Sequence, residues 1–422
     1  MTLKTSWRGH LTEQEHQLSR WVDEYAHRAI DLLQEVVDIN SGTMNHAGVS
    51  QVGQVFAREL DLLGFKNTWH PLEDIQRAGH LFSIHSGTMG KRLLLIGHLD
   101  TVFEQDSPFQ KLDRNGDLAV GPGVIDMKGG DVVAVYALKA LGAVGALQGA
   151  DITVALMGDE EETGEPLART RAPLIEAANR SHIALGFETS GPTPHSATVA
   201  RRGCTTWELS VQGVSGHSSR IFDPGFGAGA IFESSRILTA FYQAFHQEKL
   251  LSVSPGIASG GTHSRYLPDQ GTACSTGKIN VIPQAMLTSG DLRCISPEQN
   301  EEAKARMQEI VAAHLPETSA RLVFRDTYPP MAPTPGNHDL MNQIDRISQD
   351  LGYAPMEAFD PSLRGAADIS FAATRVEASL DGLGPAGWGD HAFDETIDLT
   401  SLATCIKRAA LLIHRLTTGV RR

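Results

Sequence analysis

The chain has 422 residues, more than one compact core usually holds, so two domains are expected. Charged residues make up 20% of it and the formal net charge is −14, which argues against a nucleic-acid partner and suits attraction of cations. The four cysteines, Cys204, Cys274, Cys294 and Cys405, are widely spread with no CxxC pair, and read as reduced thiols, not a disulfide framework.

Residues 1–11 contain no apolar core of leader length, and nowhere does an unbroken apolar run approach membrane-span length. No membrane partner and a cytoplasmic location are therefore expected. Thr12 with Glu15 reads as a capping box, opening an amphipathic helix through Trp21, Tyr25, Leu32, Leu33, Val36 and Val37. A second helix carries Val52, Val55, Phe56, Leu60 and Leu63 and ends at Gly64. Leu93, Leu94, Leu95 and Ile96 form the short continuous apolar run of a strand buried on both faces. A helix with Val132, Val133, Val135, Leu138 and Leu141 follows Gly129 and Gly130, and Ile152, Val154, Leu156 and Met157 make the next buried strand. Strand, helix, strand implies an α/β sheet, in which ligands sit at the carboxyl ends of the strands.

The pattern changes after Arg201, Arg202 and Gly203. Trp207, Leu209 and Val211 alternate with Glu208, Ser210 and Gln212, the mark of a strand with one wet face. A helix through Ile231, Ile237, Leu238 and Phe241 comes next, then a Gly-, Ser- and Thr-rich stretch over 260–277. A strand over 286–295, a charged helix with Met307, Ile310 and Val311, and a strand over 322–324 complete this region. The expected division is a larger domain of residues 1–201 and 329–422 with a small α+β domain, 202–328, inserted between them. The prolines Pro329, Pro330, Pro333 and Pro335 mark the return. The last helix carries Leu402, Ile406, Ala409, Ile413 and Leu416 and stops near Gly419.

Chemistry concentrates where buried strands end. Gly97-His98-Leu99-Asp100-Thr101 follows the first apolar run. Imidazole binds zinc well and a nearby carboxylate can orient it, although a polar turn accounts for His-x-Asp alone. In Gly121-Pro122-Gly123-Val124-Ile125-Asp126-Met127-Lys128-Gly129-Gly130, glycines crowd one acidic residue before a helix. Asp126 is either a helix N-cap or a carboxylate aimed at an ion. Asp159-Glu160-Glu161-Glu162 follows the second buried strand. Acidic runs are usually solvated loops, but one leaving a core strand repels itself unless a cation is near. Glu188 sits in an apolar strand context and His391 in a glycine-rich loop before the last helix. Together these groups can hold two zinc ions that share a carboxylate.

GHLDTV, GPGVIDMKGG, GDEEETG and GPAGWGDH, in this order, resemble the metallopeptidase family of glutamate carboxypeptidase, aminoacylase and succinyl-diaminopimelate desuccinylase. The resemblance runs from the first helix to the last. It implies a mixed-sheet, di-zinc α/β catalytic domain with an inserted smaller, ferredoxin-like α+β domain that serves as lid and dimerisation surface. His98 and Glu188 would hold one metal, Glu161 and His391 the other, and Asp126 would bridge them. Asp100 would orient His98, and Glu160 would be the general base. The family pattern has one residue between Asp-Glu-Glu and Gly, whereas here Glu162-Thr163 intervene before Gly164. Counting from Asp159 gives the roles just stated; counting back from Gly164 moves each forward by one residue, and the first register is preferred because the strand fixes the geometry.

Within the inserted domain, the resemblance implies that His217 of Val214-Ser215-Gly216-His217 stabilises the oxyanion in a partner subunit's site. Asn280 and Arg293 would meet the substrate, with the Arg293 fork reading a carboxylate; a surface pairing of Arg293 with an acidic neighbour is the plainer alternative. Gly365 lies in a small-residue segment before Asp368, with Ala366-Ala367 where the family usually has a Ser or Thr. The expected activity is hydrolysis of a peptide or acyl-amide bond next to a free carboxylate, in a small peptide or N-acyl amino acid. Aminoacylase and dipeptidase are the alternatives, followed by a non-catalytic metal-binding protein. Zinc is the expected metal, with cobalt or manganese able to substitute. A phosphate-transferring enzyme would need a P-loop, which the sequence lacks.

Overall fold

A computed structural model describes residues 11–267 and 271–419. Residues 1–10, where a leader was sought, and 268–270 within the Gly-rich stretch lie outside them. The chain divides into two compact units. One comprises the described residues up to Ala200, Pro333–Leu363 and those from Ala367 onward; the other is Arg201–Ala332 with Arg364–Ala366.

The larger unit is built on a six-stranded mixed sheet, in the order Lys66–Leu72, Arg77–His85, Ala150–Met157, Met89–His98, Ile183–Gly186, Ala378–Leu380. The last four run parallel, and the first two form an antiparallel hairpin on one edge. The run Leu93 to Ile96 is buried throughout, as expected of a central strand covered on both faces. Helices Lys128–Ala143 and Thr400–Thr417 pack on Met89–His98 and on each other. Lys128–Ala143 is buried over nearly its whole length, so it reads as apolar throughout with no clean stripe. The first amphipathic run is two helices, Glu13–Tyr25 and His27–Val37, parted at Ala26. The expectation of one helix failed there because the apolar pattern continues across the junction and no Gly or Pro marks it. The Thr12 capping box forms on both sides, with the Glu15 N–H donating to Thr12 Oγ1 at 3.2 Å and the Thr12 N–H to Glu15 Oε2 at 2.7 Å. A second small sheet joins Asp113–Asn115, Leu118–Val120, Thr396–Asp398 and Gly387–Trp388. Its strands are two or three residues long, too short for periodicity to reveal.

The smaller unit follows a βαββαβ succession. Its sheet runs Ser252–Gly261, Ala285–Cys294, Gly203–Gly213, Thr318–Tyr328, antiparallel throughout, so the spatial order is second, third, first, fourth. Alternation in Gly203–Gly213 sends Trp207, Leu209 and Val211 inward against Ile237, Phe241, Leu292, Met307 and Val311. Helices Gly229–Phe245 and Pro297–Ala312 supply part of that core. A separate hairpin, His263–Leu267 with Thr272–Thr276, occupies the Gly-rich stretch.

Candidate metal centre

Register in the large sheet gathers the acidic turns around His98. Met89–His98 pairs in parallel with Ala150–Met157, His98 opposite Met157, and on its other side with Ile183–Gly186, Ile96 opposite Gly186. The Asp159-Glu160-Glu161 turn and Glu188 therefore leave the sheet at the same end as His98, one on each flank. Gly97 is required beneath it, since a Cβ there would lie 1.9 Å from Asp131 Oδ1. Burial pushes the Asp131 carboxyl well above its usual range, and neither of its oxygens is hydrogen-bonded. Asp126 enters from the loop before Lys128–Ala143. Met127, not Asp126, occupies the helix N-cap, and no side chain caps the helix, so the N-cap account of Asp126 is excluded. The close approach of this helix explains its glycines: a Cβ on Gly130 would lie 1.8 Å from the Phe187 carbonyl oxygen, beside Glu188. His391 has φ 62°, in the left-handed region, on the loop between Gly387–Trp388 and Thr396–Asp398.

Five predicted ligands converge. His98 Nε2 lies 3.1 Å from Asp126 Oδ1 and 3.7 Å from Glu188 Oε1. His391 Nε2 lies 3.0 Å from Asp126 Oδ2 and 3.2 Å from Glu161 Oε2. Each set, His98–Asp126–Glu188 and Asp126–Glu161–His391, keeps its donor atoms within 4.8 Å of one another, and Asp126 belongs to both. Asp100 is fully buried behind His98, its Oδ1 3.5 Å and its carbonyl oxygen 3.0 Å from His98 Nδ1. Its carboxylate accepts from the Thr43 hydroxyl at 2.7 Å and from the Glu160 and Glu161 N–H groups, each at 3.1 Å. One buried aspartate thus holds both an imidazole, chiefly through its carbonyl, and the acidic turn, through its carboxylate.

The electrostatics are those of a site short of positive charge. Burial opposes ionisation of Asp126, yet its bonds from His391 and His98 hold the carboxyl below the usual range. Burial and then Asp126 raise Glu161 to about 7, and burial lifts Glu160 well above its ordinary value. The bonds to Asp126 and Glu161 raise His391 to about 11. Glu161 Oε1 is buried without a hydrogen-bond partner. Two imidazoles, three carboxylates of which Asp126 is shared, and that orphaned oxygen fit a pair of divalent cations. Glu162 is turned away: its Oε1 pairs with Arg77 at 3.2 Å and its side chain is 65% exposed.

Several supporting residues carried no readable signal. Arg171, fully buried, bonds the Asp159 carboxylate and carbonyl, and its Nε lies 2.8 Å from Asp368 Oδ1. Asp381 Oδ1 accepts from the Glu188 N–H at 3.3 Å. Buried Lys128 donates to the carbonyls of Val36 and Ile39, each at 3.0 Å, and burial lowers its pKa to about 7. Glu395, fully buried, accepts from the Asp126 loop. Arg171 stands in a helix that also carries Arg169, Glu176 and Arg180, so nothing local set it apart, and Glu395 had no cue beyond standing near His391.

The candidates in the smaller unit fall in two places. His217 is exposed, its Nδ1 2.8 Å from Ser219 Oγ, and it bridges to Val281, which brings Asn280 alongside. Arg293 lies near the far end of Ala285–Cys294, opposite Cys204, with its Nε donating to Asp291 Oδ2 at 2.7 Å. The Gly365 carbonyl accepts from Arg201 Nη1 at 2.9 Å. A Cβ on Gly365 would meet nothing within 4 Å, so packing does not demand glycine there.

A mixed sheet with imidazoles and carboxylates gathered at its strand ends is the construction of a metal-dependent hydrolase. The sequence pattern of Peptidase family M20/M25/M40 matches residues 94–415, and the chain belongs to that family, as a hydrolase of the metallopeptidase kind. It is 25% identical over 396 residues to carboxypeptidase G2 of Pseudomonas sp., covering 92% of this chain and 89% of that one. Aminopeptidase PepT from Bacillus cereus shares the fold at 16% identity with a TM-score of 0.72, over 93% of this chain and 98% of that one. The Bacillus subtilis YXEP protein, described as a dinuclear metal-binding peptidase, shares it at 14% identity with a TM-score of 0.63, over 94% and 100%. Among the described residues no helix is long and apolar enough to cross a membrane.

Proposed function

We propose that this chain is a two-zinc hydrolase that cuts a peptide or acyl-amide bond beside a free carboxylate, in the manner of a glutamate-releasing carboxypeptidase. The observation that carries this reading is Asp126, whose two oxygens lie 3.1 Å from His98 Nε2 and 3.0 Å from His391 Nε2. His98 and Glu188 hold one ion, Glu161 and His391 the other, and Asp126 both. The likeness to carboxypeptidase G2 along 92% of the chain supports the carboxylate-adjacent bond. Imidazole and carboxylate donors suit zinc, and cobalt or manganese can replace it.

The bound ions would acidify water and polarise the scissile carbonyl. Asp100 fixes the His98 ring and, through the Glu160 and Glu161 N–H groups, the direction of the acidic turn. Glu160 takes the proton of the attacking water and returns it to the leaving amine. The outward turn of Glu162 supports the register in which Glu160 is base and Glu161 ligand.

The smaller unit serves as a lid, and its βαββαβ strand order supports a ferredoxin-like fold. His217 stabilises the oxyanion of a partner subunit's substrate, which makes the protein a homodimer through this domain. Asn280, Arg293 and the Gly365 segment receive the substrate, with Arg293 exchanging Asp291 for the substrate carboxylate. Four free cysteines support a cytoplasmic location.

The test is a metal assay joined to a substrate panel. Zinc-loaded protein is expected to bind two ions per chain and to hydrolyse C-terminal glutamate conjugates faster than dipeptides or N-acetyl amino acids. Full hydrolytic speed after chelation would end the reading, and preference for N-acyl amino acids would replace the carboxypeptidase assignment with an aminoacylase.

A further inference from the structure

We infer that Glu395 is a positioning residue that locks the Asp126 and His391 arms of the metal centre to each other; this rests on the metal-dependent reading above. The argument begins with register. Thr396–Asp398 pairs antiparallel with Leu118–Val120, Thr396 opposite Val120 and Asp398 opposite Leu118. The residue before Thr396 therefore lies against the residue after Val120, and the Gly121 N–H donates to the Glu395 carbonyl oxygen at 3.1 Å. From that point the Glu395 side chain, fully buried, runs into the loop that carries Asp126.

There it collects the loop's donors. Oε2 accepts from the Gly123 N–H at 2.9 Å, and Oε1 accepts from the Ile125 N–H at 2.8 Å and from the Asp126 N–H at 3.1 Å. Gly123, at φ 79°, supplies the left-handed turn that curls the loop around the carboxylate. The last of these bonds is to the backbone of the bridging residue itself. Four positions earlier on the Glu395 strand-and-loop segment stands His391, whose Nε2 lies 3.0 Å from Asp126 Oδ2. Asp126 is thus held at its main chain by Glu395 and met at its side chain by His391, both from one short segment of chain. A carboxylate has the lone pairs for three N–H donors, whereas a glutamine offers one oxygen and turns an NH₂ against the remaining donors. Glu395 touches no substrate or ion in this scheme; it sets where Asp126 and His391 stand, the part an outer carboxylate plays for ligands it does not replace.

The test uses Glu395→Gln and Glu395→Asp, with Glu15→Gln as a control. Glu15 is a similarly buried carboxylate that pairs with Arg415 at 2.6 Å and belongs to no part of the metal centre. Zinc affinity is measured by chelator competition, melting temperature with and without zinc, and kcat and KM on an N-acyl glutamate at saturating zinc. Glu395→Gln is expected to weaken zinc binding by about 10- to 100-fold and to lower kcat with KM unchanged. It should also shrink the rise in melting temperature that zinc confers. Glu395→Asp, which keeps a carboxyl group, should recover part of each. Glu15→Gln should lower the melting temperature and leave zinc affinity alone. Wild-type zinc affinity and kcat in Glu395→Gln, with only a lower melting temperature, would overturn the inference. Should that variant fail to fold, undiminished zinc affinity in Glu395→Asp would overturn it equally. A wild-type chain that binds no divalent ion would overturn the functional reading, and this inference with it.

Discussion

In the larger unit the polar groups around Asp126, the exposed His391 apart, are buried or nearly so, and several are anchored by residues far along the chain, Asp100 by Thr43 and the Glu160 turn, Glu188 by Asp381, and the Asp126 loop by Glu395. In the smaller unit the candidate groups are exposed or half-buried and bonded to near neighbours, His217 to Ser219 and Arg293 to Asp291. The difference suits the roles proposed for the two sets. Carboxylates and imidazoles that share cations would have to be held within fractions of an ångström against mutual repulsion, and the long-range bonds add to that restraint. Groups that meet a changing substrate, as proposed for His217 and Arg293, would need only local support and room to exchange partners. The smaller unit puts its order instead into an apolar core set by strand alternation.

The largest test of this contrast is Glu160→Gln, expected to lower kcat by about 10²- to 10⁴-fold with zinc content unchanged, since it removes a proton carrier and no ligand. Steady-state kinetics with a metal assay check it, and unaltered turnover would move the base to another residue. Next is Trp207→Ala in the other unit. Trp207 is fully buried, edge-on to Phe241 at 5.8 Å, and its indole N–H donates to the Asp291 carbonyl at 3.1 Å. Its truncation should cost about 3–5 kcal/mol in denaturant unfolding, the range for a large core aromatic. A cost below 1 kcal/mol would mean that alternation does not hold this domain together.

His80 sharpens the comparison through pH. Its Nδ1 accepts from the Gly158 N–H at 3.1 Å and its Nε2 faces the Thr170 carbonyl at 3.0 Å, a pattern satisfied by the neutral ring. Burial lowers its pKa to about 4, against an opposing pull from Asp159. The unfolded chain protonates near 6.5, so the folded state binds the proton less readily. The stabilisation is therefore complete above pH 6.5 and is lost as pH falls toward 4, a change on the order of 2–3 kcal/mol. Urea unfolding at pH 7, 5.5 and 4.5 should show this slope flattened in His80→Gln. The smallest effect expected is at Ser296, whose hydroxyl accepts from the Gln299 N–H at 3.2 Å to cap Pro297–Ala312. Ser296→Ala should cost about 1 kcal/mol, with zinc affinity unmoved.

Much of this was legible without coordinates wherever the signal was local. The apolar run at 93–96, the alternation at 207–211 and the Thr12 capping box each announce an element because side-chain period and cap chemistry are properties of neighbouring residues. The same applies to the residue types of the centre, since His98 ends its strand and Glu161 and Glu188 lie just past theirs. The break at Ala26 and the short strands around residues 118–120 and 396–398 were hidden, because neither changes the local pattern.

By itself, then, the order of amino acids determined which segments are buried, where strands stop, and which side chains able to bind metal stand at those stops. Which of them meet was decided only in three dimensions. The Glu395 carboxylate reaches a backbone N–H 269 positions away and His391 meets Asp126 across a similar gap, and such pairings depend on how sheets and helices close around one another. A periodic pattern records whether a residue faces inward; it holds no record of the partner waiting there.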